Sequence, residues 1–435
     1  MINQEKNNFK RLSDSLFNRQ TPIDCSGLSG SSAAWILARL WRDKPVPMVV
    51  VTPNAKDAER TIQDMQFFAG ENLPILEFPA YNLMTLKLVS LNGTAATRLY
   101  TLYQLMNSFH PPLVVTSAEA LLQGVIPRQE LAQYCDLIQV NEDIDLDRIV
   151  EKLVSGGYSR SMIVEEPGDF CIRGGIVDIF SPLYPDPVRI ELFGDMVESI
   201  RFFSAANQRT IRSIDEMVII PAREAIVRLS DMDTLISRIW EQATSMDLPA
   251  TAVRDLIERI RQEGIFPGIE NLAPLIYAKM DHFFDYVPDH ALCVLIEPEE
   301  IEKSANQFME KAIKNHLNAI RDQQVHLLPE QLYVTWSDIA HELKERLPLS
   351  LRAISTPLSQ KFKSGGSLSI EMQVGDNHSL QETLTAQREK EHILQPLAAW
   401  IQEQKQLGAM TVAACSTPSQ AERLDALLRP YGIAS

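Results

Sequence analysis

Residues Gly27 to Ala34, GLSGSSAA, have the glycine spacing of a loop that wraps phosphate. Such a loop uses glycines for close backbone approach, a lysine for the outer phosphates and a hydroxyl for the magnesium ion. At the second glycine, lysine and hydroxyl positions this chain has Ser32, Ala33 and Ala34 respectively, so the cation and the metal ligand are both missing. Gly27 and Gly30 can still make a tight turn. The segment is therefore expected to join a strand to a helix without ATP chemistry, and no cofactor is implied.

Other reactive residue types lead to equally bland readings. Glu165, Glu166 and Asp169 are close in sequence, but no second carboxylate pair or histidine at helical spacing accompanies them, so a solvated loop is expected. His282 and His290 flank FFDYVPD without a third ligand at recognisable spacing, and no metal is expected there. The five cysteines, Cys25, Cys135, Cys171, Cys293 and Cys415, form no C-x-x-C pair, which suits reduced thiols in a cytoplasm.

The elements that would position these residues follow from composition and periodicity. The chain has 435 residues, 45% of them hydrophobic, enough for several cores, so two to four domains are expected. A net charge of -16 opposes general phosphate-backbone binding, although a local basic patch remains open. The amino terminus is polar and no apolar run reaches the roughly 20 residues that span a bilayer, so no membrane role is expected and the localisation is read as cytoplasmic.

VPMVVV (Val46 to Val51) reads as a buried strand, Thr52-Pro53-Asn54 as a turn and cap, and Ala55 to Phe68 as an amphipathic helix, with the next strand at Leu113 to Val115. That alternation predicts an α/β parallel sheet, with GLSGSSAA beyond a strand's carboxyl end. From Gly168 to Phe203 the pattern changes to short β-rich runs separated by Gly-Gly, a proline-rich loop and Gly194-Asp195, which is hairpin punctuation. In Val188 to Phe193 the period of two sends Val188, Ile190 and Leu192 to one face and Arg189, Glu191 and Phe193 to the other. An arginine and an aromatic on one exposed face suit a protein interface, and equally a solvated surface.

The block GDFCIRGGIVDIF…VRIELFGDMVESIRFF, followed by Ala206-Asn207-Gln208-Arg209, resembles the second domain of bacterial transcription-repair coupling factors and of their excision-repair relative UvrB. GLSGSSAAWILARLW, RLYTLYQL (Arg98 to Leu105), GIFPGIEN (Gly264 to Asn271) and FFDYVPDHALCVLIEPEE follow the same order, so the resemblance covers roughly residues 20 to 300. UvrB carries a working phosphate loop and an aromatic-rich DNA-gripping hairpin, whereas Phe78 to Ser90 has only Phe78 and Tyr81 as aromatics. Where that relative has Asp-Glu after an apolar strand, this chain has Ile296-Glu297, a degenerate acidic motif. The coupling factors are thus the better match.

The resemblance implies a degenerate RecA-like layer from residues 1–120 and 223–345, interrupted by a UvrB-like insert at 121–222, with a small α/β domain of unknown role at 346–435. It implies UvrA as partner, bound through Arg173, Arg189 and Phe193, with Glu191 as a possible partner or selectivity charge among them. It also implies a non-catalytic amino-terminal fragment, with RNA polymerase and DNA engaged by modules outside this chain. A DNA-binding or nucleotide-responsive UvrB-type repair module is the alternative. In the last segment the pattern predicts helices near Leu380 to Gln406 and Ser419 to Leu428, a strand at Met410 to Ala414, and a loop at KFKSGGSLS (Lys361 to Ser369).

Overall fold

Apolar runs of four or five residues alternate with amphipathic helices through the first part of the chain, and each run becomes a strand. The computed structural model describes residues 2–18, 21–70, 73–82, 92–266, 268–354, 368–372, 374, 377–386, 392–415 and 417–433. Two compact units result, Met1–Met372 and Gln373–Ser435.

In the first unit α1 (Ile2–Asn18) precedes β1 (Ile23–Ser26), α2 (Ser32–Asp43), β2 (Met48–Thr52), α3 (Ala55–Ala69), β3 (Ile75–Phe78), α4 (Asn92–Asn107) and β4 (Leu113–Ser117). The Asn54 side chain caps α3 by accepting from the Asp57 N–H at 3.0 Å, as the Thr-Pro-Asn signal predicts. A β-rich segment follows, with β5 (Asp136–Gln139), β6 (Ser159–Arg160), β7 (Asp169–Arg173), β8 (Ile176–Ile179), β9 (Val188–Phe193), β10 (Met196–Phe203), β11 (Thr210–Ile214) and β12 (Glu216–Ile219). The chain then passes through the helices Met232–Ser245 and Ala250–Glu263 to β13 (Leu292–Ile296), the helix Pro298–Arg321, β14 (Leu349–Leu351) and β15 (Leu368–Glu371).

Seven strands form one sheet in the order β15-β1-β14-β13-β2-β4-β3, with every neighbouring pair parallel. Its central strands β2, β4 and β13 are predominantly apolar and buried along nearly their whole length, because both faces are covered. Met48, Val50, Leu113, Val115, Leu292 and Val294 face one core, while Val49, Val51, Val114, Cys293 and Leu295 face the other. A second, six-stranded sheet, ordered β11-β10-β9-β8-β7-β6, is antiparallel except at β6 and β7, and β5 pairs with β12 separately. The fold is thus mixed α/β, with a parallel sheet and a separate β-rich one. Phe170, Val177, Ile179, Val188, Ile190 and Phe202 from the six-stranded sheet join the same apolar cluster as Val49, Val51 and Val114. One continuous core therefore ties the two sheets together.

The boundary expected at residue 346 falls elsewhere. β14 and β15 hydrogen-bond on either side of β1, so their residues belong to the parallel sheet and the second unit starts at Gln373. Their brevity hides them in the sequence. Of KFKSGGSLS, Leu368 and Ser369 lie in β15, and the preceding residues are outside those described. The stretch Phe78 to Ser90 is described only as far as Asn82.

The second unit contains the helices His378–Ala386, Gln395–Gln406 and Pro418–Leu428. Thr417 caps the last of these, and the Gln402 amide donates to the Tyr431 carbonyl at 3.0 Å. The single helix expected over Leu380 to Gln406 is two helices, with 387–391 outside the described residues. The strand expected at Met410 to Ala414 is absent; those residues are exposed and carry no regular secondary structure, because a short apolar run makes a strand only where a neighbouring strand completes its hydrogen bonds. Among the described residues this unit is helical rather than α/β.

Candidate interaction surface

The phosphate-loop-like segment does lie between a parallel strand and a helix, joining β1 to α2. Its glycines serve the fold. Gly27 has φ +79°, and a Cβ there would lie 2.1 Å from the Met372 carbonyl oxygen, whose own N–H donates to the Ser26 carbonyl. Gly30 has φ +57° and makes the left-handed step into the helix, with open space around it. The donors a phosphate would need are partly spent on the protein. The Leu28 N–H bonds the Arg352 carbonyl at 3.1 Å, the Ser29 N–H bonds the Ser32 hydroxyl at 2.9 Å, and the Ser32 N–H bonds the Ser29 carbonyl.

Ala33 and Ala34 line a cavity of about 200 Å³ together with Gly30, Asp57, Arg60, Asp64, Ile296, Glu297 and Arg352. That is below the roughly 300 Å³ at which small-molecule sites begin. Ile296 ends β13 and Glu297 follows with φ +55°, so both residues reach the cavity beside the loop. Glu297 accepts the Ala353 N–H at 2.6 Å, and burial pushes its carboxyl above the usual range despite that bond and the nearby Arg352. Arg352, 3% exposed, extends Nε to Asp24 at 2.7 Å and Nη1 to Glu299. A guanidinium from the end of β14 thus occupies the cationic role between β1 and the helix after β13. Sequence reading missed Arg352, since nothing in LSLRAIS reveals that its strand enters the sheet beside β1.

The second candidate region is the outer face of the six-stranded sheet. The hairpins at Gly174-Gly175 and Gly194-Asp195 fix the register of β7 to β10. Arg173 lies opposite Ile176, which lies opposite Glu191; in the adjacent row Asp178 lies opposite Arg189. Val188 and Ile190 point into the core, so Arg189, Glu191 and Phe193 share the outer face as their spacing predicts. Phe193 is 75% exposed.

The two arginines converge on Asp178, whose carboxylate is only 1% exposed. Arg189 donates Nε to Oδ1 at 2.6 Å and Nη2 to Oδ2 at 2.8 Å, a fork that holds its pKa above the ordinary arginine value. Its guanidinium also lies 4.5 Å from the centre of the Phe203 ring, and Nη2 reaches the Gln208 amide oxygen at 3.5 Å. Arg173 donates one Nη2 bond to Asp178 at 3.1 Å and is 53% exposed. Glu191 turns away from both. It pairs with Arg201 and accepts the Ser199 hydroxyl at 2.9 Å, so its partner is on β10, the next strand.

Asp178 escaped the sequence reading although it left a trace, as the one carboxylate inside the apolar run IVDIF. Glu165, Glu166 and Asp169 form a loop turn in which Asp169 accepts both glutamate N–H groups at 3.1 Å. His282 faces Asp285, and among the described residues no group of three metal-ligating side chains occurs. No described helix is long and apolar enough to cross a membrane.

Residues 137–224 match the UvrB interaction domain family. The chain is 29% identical over 420 residues to the transcription-repair-coupling factor of Myxococcus xanthus, covering 93% of this chain and 34% of that protein. It is 28% identical over 333 residues to the transcription-repair-coupling factor of Bacillus subtilis, covering 74% of this chain and 28% of the relative. The same-named protein of Staphylococcus aureus is 30% identical over 241 residues, or 55% of this chain and 20% of its own length. The chain thus spans at most about a third of these relatives' length. Residues 137–224 carry the UvrB interaction domain signature, within a chain similar along most of its length to transcription-repair-coupling factors.

Proposed function

We propose that this chain is a non-catalytic recruitment region of a transcription-repair coupling factor, and that it brings the excision-repair protein UvrA to stalled transcription complexes through the outer face of the six-stranded sheet. The observation that carries the reading is Phe193, an aromatic 75% exposed on the same sheet face as Arg173 and Arg189, inside the segment that matches the UvrB interaction domain. A few residues dominate the binding energy of a protein interface, and arginines and aromatics are enriched at such surfaces. RNA polymerase and DNA are assigned to regions of the relatives that this chain does not cover.

The non-catalytic part of the reading is supported at the β1 to α2 loop. Its lysine and hydroxyl are replaced, three of its N–H groups are bonded internally, and Arg352 already pairs with the nearby carboxylates. The test is calorimetric titration of the chain with purified UvrA at moderate salt, with circular dichroism to confirm folding. Arg173→Ala and Phe193→Ala should each weaken binding by about thirtyfold, or about 2 kcal/mol. A folded wild-type chain that does not bind UvrA would overturn the proposal.

A further inference from the structure

Two arginines on one face invite the view that both grip the partner, yet their surroundings differ. An arginine carries five N–H donors. Arg189 commits Nε and Nη2 to Asp178, lies against the Phe203 ring, is covered by Gln208 and keeps only 18% of its side chain exposed. Gln208 is itself held at φ +60°, unusual for a residue with a side chain, by amide bonds to the Ala205 and Val164 carbonyls at 2.9 and 3.5 Å. Arg173 gives Asp178 a single bond and is half exposed, so most of its fork faces outward.

We propose that Asp178 is the positioning residue of this surface. Its buried carboxylate, anchored by Arg189, orients the Arg173 guanidinium toward a carboxylate on the partner, while Arg189 serves chiefly as that anchor. The inference rests on the UvrA-recruitment reading. Charge supports the division: Asp178 offsets one of its two arginines and Arg201 offsets Glu191, leaving one excess positive charge, exposed at Arg173. Arg173 and Phe193 are separated by two strand spacings across the sheet and one side-chain repeat along it, about 12 Å. The complementary surface is then a carboxylate set about that far from an apolar pocket for Phe193.

The test joins two readouts on the full chain. In UvrA titrations, Arg173→Ala is expected to lose about thirtyfold and Asp178→Asn about tenfold, and the double variant should bind no more weakly than Arg173→Ala alone. Full affinity in Asp178→Asn, or losses that multiply in the double variant, would overturn the proposal. Arg173→Lys, at a half-exposed position that leaves the Asp178–Arg189 fork in place, covers the case in which Asp178→Asn does not fold. It keeps the charge without the planar fork and should lose at least tenfold, and unchanged affinity would count against the proposal. Independently of UvrA, NMR relaxation of the Arg173 Nε–H should show an ordered guanidinium in the wild type that becomes mobile in Asp178→Asn. Unchanged relaxation refutes the positioning role even if UvrA binds, whereas wild-type protein that shows the ordering but does not bind UvrA refutes the recruitment reading instead.

Discussion

Arg98 and Glu224, 126 residues apart in sequence, form a buried ion pair between α4 and the segment just after β12. Arg98 is completely buried between the rings of Phe78 and Tyr81, and its Nη1 also donates to the Pro79 carbonyl at 2.9 Å. Glu224 accepts the Ile126 N–H at 3.3 Å as well. The pair fastens the stretch entering the β-rich segment to the stretch leaving it. Removing one partner strands a buried charge, so Glu224→Gln or Arg98→Ala should each cost about 3–5 kcal/mol in urea unfolding. The apolar double replacement Arg98→Met with Glu224→Leu should recover much of that loss. Equal stability of wild type and Glu224→Gln would show that the pair is not what holds these segments together.

Gly27→Ala and Gly30→Ala separate backbone conformation from crowding. Both positions have positive φ, but only Gly27 has a carbonyl in the space of a Cβ. Calorimetric melting should show a loss of about 1 kcal/mol for Gly30→Ala and at least about 2 kcal/mol for Gly27→Ala. Equal losses would mean that the β15 contact yields easily.

The Glu297 carboxyl is pushed up by burial, so its ionised form is less favourable in the fold than in the unfolded chain. Its contribution to stability is therefore fully present below the unfolded pKa and is lost as pH rises through the higher folded value. Glu297→Gln should gain in melting temperature relative to wild type between pH 4 and pH 7. A difference independent of pH across that range would contradict the assignment.

Thiol reactivity should divide the cysteines sharply. Burial, with Asp24 alongside, pushes the Cys25 thiol up to about 12, and burial raises Cys135 to about 11. Cys171 and Cys293 are buried, whereas Cys415 is exposed. At pH 8 only about one Cys25 in ten thousand is thiolate. Ellman's reagent should find one fast thiol in the native chain, abolished by Cys415→Ala, and five after denaturation. Two or more fast thiols in the native state would show that the inner strands open readily.

What the sequence revealed and what it hid follow from the range of the interactions. The Asn54 cap, the alternating faces of β9 and the Gly-Gly hairpin are set by neighbours a few residues away, and each is visible in the local pattern. The Asp178 clamp and the Arg352 clasp depend on which strands lie side by side. Arg352 bonds Asp24, 328 residues away, and no local pattern reports that adjacency. β14 and β15 are three and four residues long, too short for periodicity to register. Met410 to Ala414 fails for the opposite reason, since an apolar run of strand length meets no adjacent strand among the described residues.

The Arg352 clasp also bears on evolutionary reversibility. A lysine at Ala33, the position the motif gives to lysine, would set a second cation in a cavity where Arg352 already pairs with Asp24 and Glu299, and the motif's glycine at Ser32 would remove the hydroxyl that closes the loop onto Ser29. Each change toward the motif, made alone, should therefore be unfavourable. A chain that holds this arginine is expected to resist conversion to a phosphate-binding loop by single substitutions.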